Sequence, residues 1–414
     1  MRDLSGEPTK RSPTNSREEG VSVRIVDFET FLVSHQFPEK DLWWGGGWDQ
    51  DLVGLRFNAV ILRVKTDEGI TGLGEAMPWG DCRAVQATLQ QLEADFVGKD
   101  PFEVEKLTVP GPDARRNSAL AAIDVALWDI VGKATNTPVF RLLAQDGDVQ
   151  PKAIRTYASG GVGYAWFKRP EQVVEEALRH KEAGFTAFKM RIGSAWGTSK
   201  VTIGQFGALL EKVRAALGDD VDLMLDANGR FQTVEEAVDV AHVLESLQAR
   251  WFEEPVSPFG AGGPERYNQI RARTSVPISG GEGFNSLEQH QPFLKARAYD
   301  IVQPDATFIG MTRAYQIARQ YHQIGRPCIP HSWTTAIAQM ANAHLVAAIP
   351  NRVMLEIQQI NNPLLTDLVD NPLPVDQGFV EVSERPGLGI ELVEDALTRY
   401  PFTENGIWVN WPRT

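Results

Sequence analysis

Apolar residues recur along the second half of the chain in short runs, each closed by an ionisable residue near a turn. Leu223-Met224-Leu225 leads into Asp226, and Asn228-Gly229 then breaks the run. A short apolar run bounded in this way reads as a buried strand whose last residue meets solvent. Trp251-Phe252 leads to Glu253-Glu254-Pro255, Pro277-Ile278-Ser279-Gly280-Gly281 to Glu282, and Ile301-Val302-Gln303-Pro304 to Asp305. Cys328-Ile329-Pro330 then leads to His331, and Val353-Met354-Leu355 to Glu356. These closing residues stand about 23 to 29 positions apart, the length of one strand-loop-helix-loop unit. Between them lie amphipathic segments such as residues 233–247 and 311–324. Such alternation predicts an α/β fold, a (β/α) barrel with its chemistry on the C-terminal rim.

The first part of the chain is patterned differently. Residues 21–33 and 57–64 read as strands, Asp67-Glu68-Gly69 as a hairpin turn and residues 71–75 as the returning strand. Helical patterns follow over residues 82–96 and 117–143; in the second, Leu120, Ile123, Leu127 and Ile130 share one face. An antiparallel sheet followed by helices predicts an α+β domain over residues 21–148, with the barrel over 149–360. Residues 361–414 lack the barrel period, contain a strand candidate at Gly378-Phe379-Val380-Glu381-Val382, and are expected to complete the first domain. Residues 1–20 are polar and charged and are expected to form a disordered tail. Between the first two strands, Asp41-Leu42-Trp43-Trp44-Gly45-Gly46-Gly47-Trp48 reads in two ways. It is a mobile aromatic loop closing over a pocket, or a loop pinned to the surface by its own tryptophans.

A length of 414 residues suits one barrel plus a second domain. The formal net charge of −13 argues against a nucleic-acid partner, which wants basic patches, and fits carboxylates gathered on a metal. No run is apolar and long enough to span a bilayer, and residues 1–20 lack the apolar centre of a secretory signal. Cys82 and Cys328 are too few for a disulfide framework, so a cytoplasmic protein is expected.

Asp226, Glu253 and Glu282 would end three consecutive strands, and neighbouring barrel strands lie about 5 Å apart. Three converging anions repel one another, and some take up protons unless something positive sits between them. A hard divalent cation resolves this, and oxygen-only ligands suit Mg²⁺. Glu254 is an alternative to Glu253, because side chains alternate along a strand. Asp305 and His331 would end the next two strands side by side; a carboxylate beside an imidazole fixes its tautomer and makes it a better base. Lys189 and Arg191 end the second strand and face one side, as clamps for substrate charge or as bases. Glu356, on the eighth strand, is either a protonated hydrogen-bond donor or an ionised partner of a cation. Metal, cations and base around one pocket suit abstraction of a proton α to a carboxylate.

This pattern resembles the enolase superfamily, specifically its mandelate racemase subgroup, from about residue 21 to about residue 359. The resemblance is carried by Leu120-Ala121-Ala122-Ile123-Asp124-Val125-Ala126-Leu127-Trp128-Asp129, the metal ligands and the Asp-His pair. It implies a modified TIM-type barrel with an N-terminal α+β capping domain whose loops close the pocket. It selects Asp226, Glu253 and Glu282 as ligands over Glu254, the Asp305–His331 dyad as the base, and Glu356 as donor to an enolate oxygen. It further implies that Tyr157, Ser159 and Asn228 hold polar groups of the substrate. Trp43, Trp44, Trp48 and Trp333 would make part of the pocket apolar. Oligomers are common among such relatives. One departure matters: racemising relatives carry Lys-x-Lys, and the second position here is Arg191, which stays protonated at any working pH.

The resulting expectation is a Mg²⁺-dependent dehydratase of an aldonic or aldaric acid, a lyase acting on a small carboxylate. His331 removes the α-proton, then protonates the departing β-hydroxyl. Cycloisomerisation or epimerisation on the same enolate is the first alternative, and a non-catalytic enolase-like protein the second. A metal-dependent hydrolase would usually draw on several histidines, and His331 is the one at these strand ends.

Overall fold

The computed structural model describes residues 22–36, 56–78, 81–144, 153–193, 196–197, 199–260 and 262–404. The expected tail over residues 1–20 and the aromatic loop, Trp43, Trp44 and Trp48 included, lie outside these. Strands β1 (Ile25–Gln36), β2 (Arg56–Thr66) and β3 (Thr71–Ala76) pair antiparallel in that order. Helices α1 (Cys82–Phe96), α2 (Val104–Leu107), α3 (Ala114–Ala134) and α4 (Val139–Leu143) follow. The helical pattern read over 117–143 is two helices, because Asn136 turns to a φ of 49° and Pro138 precedes α4.

The Asp113 carboxylate caps α3 by accepting the N–H groups of Arg115 and Arg116. From Asn117 to Gly132 the helix is buried without a break. One side lies on β3, so close that a Cβ on Gly74 would stand 2.0 Å from the Ala122 carbonyl oxygen. Another meets the barrel: Asp124 accepts the Thr312 N–H at 3.0 Å, and Trp128 Nε1 donates to Thr312 Oγ1 at 2.9 Å.

Strands β4 (Ala153–Gly160), β5 (Ala187–Arg191), β6 (Asp222–Asp226), β7 (Trp251–Glu253), β8 (Ile278–Gly280) and β9 (Ile301–Val302) pair in parallel, each with the next. Strand β10 (Leu355–Gln358) pairs with β4. Cys328 bridges Val302 on one side and Arg352 on the other, so the seventh position closes the ring through one residue. The intervening helices are α5 (Gln172–Glu182), α6 (Ile203–Leu217), α7 (Val234–Ser246), α8 (Gly263–Arg271), α9 (Leu287–Ala296), α10 (Ala306–Ile309), α11 (Met311–Gln323) and α12 (Ala336–Ala348). Tyr157, Ala187, Met224, Trp251, Ile301, Ile329 and Met354 form one buried apolar cluster from the strands, the packed interior of the barrel. Two residues further along β4, β5, β6 and β7 lie Ser159, Lys189, Asp226 and Glu253, which raises a polar layer above the apolar one.

The tail serves both domains rather than the first alone. Strand β11 (Val375–Asp376) pairs with β12 (Phe379–Glu381), and β12 adds antiparallel to the first residues of β4. Beyond them, Leu388 donates its N–H to Asp129, and Pro401 bridges Val33 on β1 past α13 (Glu394–Arg399). Among the described residues no helix is long and apolar enough to cross a membrane.

Candidate active site

Strand register sets which ionisable side chains meet. Ser159 is level with Lys189, Arg191 with Asp226, and Asp226 with Glu253. Glu282 follows β8 by two residues, beyond Gly281 at a φ of 99°. Asp305 and His331 each stand three residues past Val302 and Cys328, and Glu356 lies within β10. All except Arg191 are buried.

Lys189 is the centre of the polar layer. Its Nζ lies 2.6 Å from Glu253 Oε1 and 2.9 Å from Glu356 Oε1, above the Tyr157 ring. Burial works to discharge this ammonium, but Glu253 and Glu356 outweigh it and hold it protonated far above the usual range. Glu356 also accepts the N–H of Ser332 and the indole N–H of Trp333. Burial would raise its carboxyl; Lys189 and His331 overcome that and hold it at about 2. Glu253 Oε2 accepts from Gln303 Nε2 at 2.6 Å and from Trp251 Nε1 at 3.1 Å. Burial pushes Glu253 up to about 8; Lys189 opposes this, while Asp226 and Glu282 add to it.

Across the ring, His331 Nδ1 stands 2.6 Å from Asp305 Oδ2. The other oxygen of Asp305 accepts from the Thr307 N–H and hydroxyl at 2.8 Å and from Asn342 Nδ2 at 3.0 Å. An acceptor so held places a proton on Nδ1, which turns Nε2 toward Glu282 Oε2, 3.6 Å away. Burial lowers the imidazole pKa, but Glu282, Glu356 and Asp305 outweigh it and push His331 up to about 10. Arg191 Nε lies 3.1 Å from Asp226 Oδ2, and its guanidinium sits over the Trp333 ring.

A model described as the enolase C-terminal domain-like family matches residues 172–396. One described as the mandelate racemase / muconate lactonizing enzyme N-terminal domain matches residues 56–144. The chain belongs to the mandelate racemase subgroup of the enolase superfamily. A D-galactarolactone cycloisomerase from Agrobacterium fabrum is 31% identical over 358 residues, covering 82% of this chain and 90% of the relative. A D-galactonate dehydratase from Verminephrobacter eiseniae is 32% identical over 351 residues, covering 81% and 89%. Among solved structures, a 3,6-anhydro-D-galactonate cycloisomerase from Zobellia galactanivorans superposes with a TM-score of 0.77 at 29% identity, covering 91% of this chain and 99% of that one.

Against the family pattern, the structure brings Lys189, Arg191, Asp226, Glu253, Glu282, Asp305, His331 and Glu356 into one cup. Glu254, at a φ of 38°, accepts the Gly281 N–H instead and packs against Gly280. Tyr157 is fully buried in the apolar layer, edge-on to Trp251, with Lys189 over its ring. Of the two readings of Glu356, its contact with Lys189 and its lowered carboxyl favour the ionised partner of a cation. Ser159 Oγ accepts from Trp333 Nε1 at 3.3 Å, and Trp333, only 2% exposed, backs Arg191 more than it lines a pocket. Half-buried Asn228 donates its amide to Glu282 at 3.4 Å. Sequence reasoning missed Gln303 and Asn342. Gln303 stands two residues before Asp305, and Asn342 is a buried amide within the largely apolar α12; both facts were visible as patterns.

Among the described residues, no three His, Cys, Asp or Glu side chains are drawn together closely enough to hold an ion as they stand. The carboxylates are turned instead toward Lys189, Arg191, Asn228 and His331. Asp226 Oδ2 and Glu282 Oε2 are buried and make no well-formed hydrogen bond; each has only its ion-pair contact, with Arg191 and with His331. Burial raises Glu282, as the Asp226 charge does, against the opposing cations. Buried carboxylate oxygens short of hydrogen-bond donors, in a mutually repelling, oxygen-only group, fit a hard cation.

Proposed function

We propose that this chain is a Mg²⁺-dependent dehydratase of a sugar acid, a lyase that eliminates the β-hydroxyl of an aldonic or aldaric acid. The observation that carries the reading is the 2.6 Å His331–Asp305 pair facing Arg191, a cation that cannot serve as a second base. Asp226, Glu253 and Glu282 would hold the ion. Bound there, it would supply positive charge that stabilises the enolate and offsets the Glu282 charge now holding His331 protonated.

The chain's own residues do the rest. Arg191 grips the substrate carboxylate and stays charged as negative charge develops. Lys189, fixed between Glu253 and Glu356, adds a second positive charge below it. His331 Nε2 takes the α-proton while Asp305 fixes Nδ1 and balances the imidazolium. The same Nε2–H then gives its proton to the β-hydroxyl, the C–O bond breaks and water leaves. The enol that remains tautomerises to a 2-keto-3-deoxy acid. Relatives named D-galactonate dehydratase and arabinonate dehydratase support this outcome.

Cycloisomerisation of a sugar lactone or anhydro-sugar acid is the second reading, favoured by the Agrobacterium and Zobellia relatives. A library of aldonic, aldaric and lactone substrates, incubated with protein and Mg²⁺, separates the two. Dehydration yields a 2-keto acid lighter by one water; cycloisomerisation, in which the departing β-oxygen stays tethered as the ring opens, yields a product of unchanged mass. A library that returns neither product overturns the enolate reading.

A further inference from the structure

Glu75 lies on β3 of the capping domain, far in sequence from the cup, and is 1% exposed. Glycines on either side of Leu73 set where it points. A Cβ on Gly72 would meet the Ala126 carbonyl oxygen at 2.1 Å and one on Gly74 the Ala122 carbonyl oxygen at 2.0 Å, so β3 rests directly on α3. From that seat the Glu75 carboxylate reaches out of its own domain. Its Oε2 accepts the Thr335 hydroxyl at 2.6 Å and the Ala338 N–H at 3.3 Å.

Both donors belong to the first turn of α12, of which Thr335 is the N-cap. A carboxylate there satisfies free N–H groups and meets the positive end of the helix dipole. Helix α12 carries Asn342, whose amide donates to Asp305 and accepts the Ala306 N–H. Its N-terminal loop carries His331. Within that loop Thr334 is held at a φ of 110°, a conformation a threonine keeps only when its surroundings impose it. The Thr334 carbonyl accepts from Gln358 and Asn362, and Ser332 donates to Glu356. Those restraints come from the barrel and the segment just after it; the one from Glu75 comes from the cap.

We propose that Glu75 is a positioning residue, through which the capping domain fixes the His331 loop and the helix that orients Asp305. The inference rests on the proton-transfer role given to His331 above. Asp124 does the corresponding job on α11, whose first turn it meets through the Thr312 N–H. The cap therefore holds the starts of α11, the second helix after Asp305, and of α12, the helix after His331.

Glu75→Leu removes the acceptor at similar size, Glu75→Gln keeps an acceptor oxygen, and Thr335→Val removes the donor from the other side. In the Mg²⁺-loaded protein, Glu75→Leu is expected to lower kcat at least tenfold with KM within twofold, Glu75→Gln to recover most of the loss, and Thr335→Val to fall between. A second readout needs no turnover. The Nδ1 proton shared by His331 and Asp305 gives a far-downfield proton NMR signal, assigned by its absence in His331→Asn. It is expected to shift or broaden in Glu75→Leu and Thr335→Val and to persist in Glu75→Gln. If the wild type proves inactive on every acid tested, the functional reading fails and this signal alone decides the positioning role. An unchanged signal in folded Glu75→Leu overturns the proposal, as does wild-type kcat. Should Glu75→Leu not fold, the same outcomes in Thr335→Val decide it.

Discussion

Arg191 Nε stands 3.1 Å from Asp226 Oδ2, the two residues level on neighbouring strands. A guanidinium occupies the second position of the Lys-x-Lys pattern of racemising relatives, so in the proposed reaction His331 alone takes the proton and Arg191 is a fixed cation. Arg191→Lys keeps the charge but loses the fork of donors. Turnover is expected to fall at least tenfold. Mass spectrometry of recovered substrate in D₂O should also show slow deuterium entry at the α-carbon at strongly alkaline pH, because a lysine, unlike an arginine, can give up its proton there. Wild-type turnover would mean that Arg191 does not grip the substrate.

His331→Asn keeps a side chain of similar polarity but cannot accept the α-proton at Nε2. Loss of a general base typically removes ~10²–10⁴ in rate. A fall of that size in kcat is expected, with the melting temperature within a few degrees of wild type, measured by kinetics and calorimetry on one preparation.

Glu356 gives the molecule an acid-sensitive core. Its carboxyl is held at about 2, below the ordinary 4.5, so its folded-state pKa is depressed. The stability it contributes is present above pH 4.5 and is lost as pH falls toward 2, worth roughly 3 kcal/mol by linkage. Urea unfolding across this window should show a slope that Glu356→Gln flattens. The same variant leaves Lys189 buried with one charged partner fewer, which costs about 3–5 kcal/mol at neutral pH. Equal stability of the two proteins at pH 7 would refute this picture of the Lys189 centre.

Gly74 tests the seat of the capping sheet. Gly74→Ala drives a methyl into the Ala122 carbonyl, a backbone atom that cannot step aside, and is expected to cost more than ~3 kcal/mol. Gly111→Ala meets open space and should stay within ~0.5 kcal/mol. Similar melting temperatures for both would show that β3 can lift from α3 at little cost.

Asp226, Glu253, Glu282, Asp305 and His331 were legible because each follows a short apolar run at one barrel period, and a barrel's rim is where such runs end. Strand length was not: β9 spans two residues and the seventh position is the single bridge at Cys328, set by backbone pairing that side chains do not announce. Tyr157 and Ser159 are two apart on one strand, and only depth in the barrel separates a buried prop from a rim residue. The charge state of Glu356 depends on burial, opposed by Lys189 and His331, which come from two other places in the chain. Glu75 was invisible for the same reason: a lone acid on a short strand of one domain reads as surface until the other domain is packed over it.

Isothermal titration of Mg²⁺ into metal-stripped protein tests most directly whether the three barrel carboxylates act together. One site per chain is expected, weakened at least tenfold in Asp226→Asn, Glu253→Gln and Glu282→Gln alike. Absent binding in the wild type, or binding that all three variants leave unchanged, would contradict it.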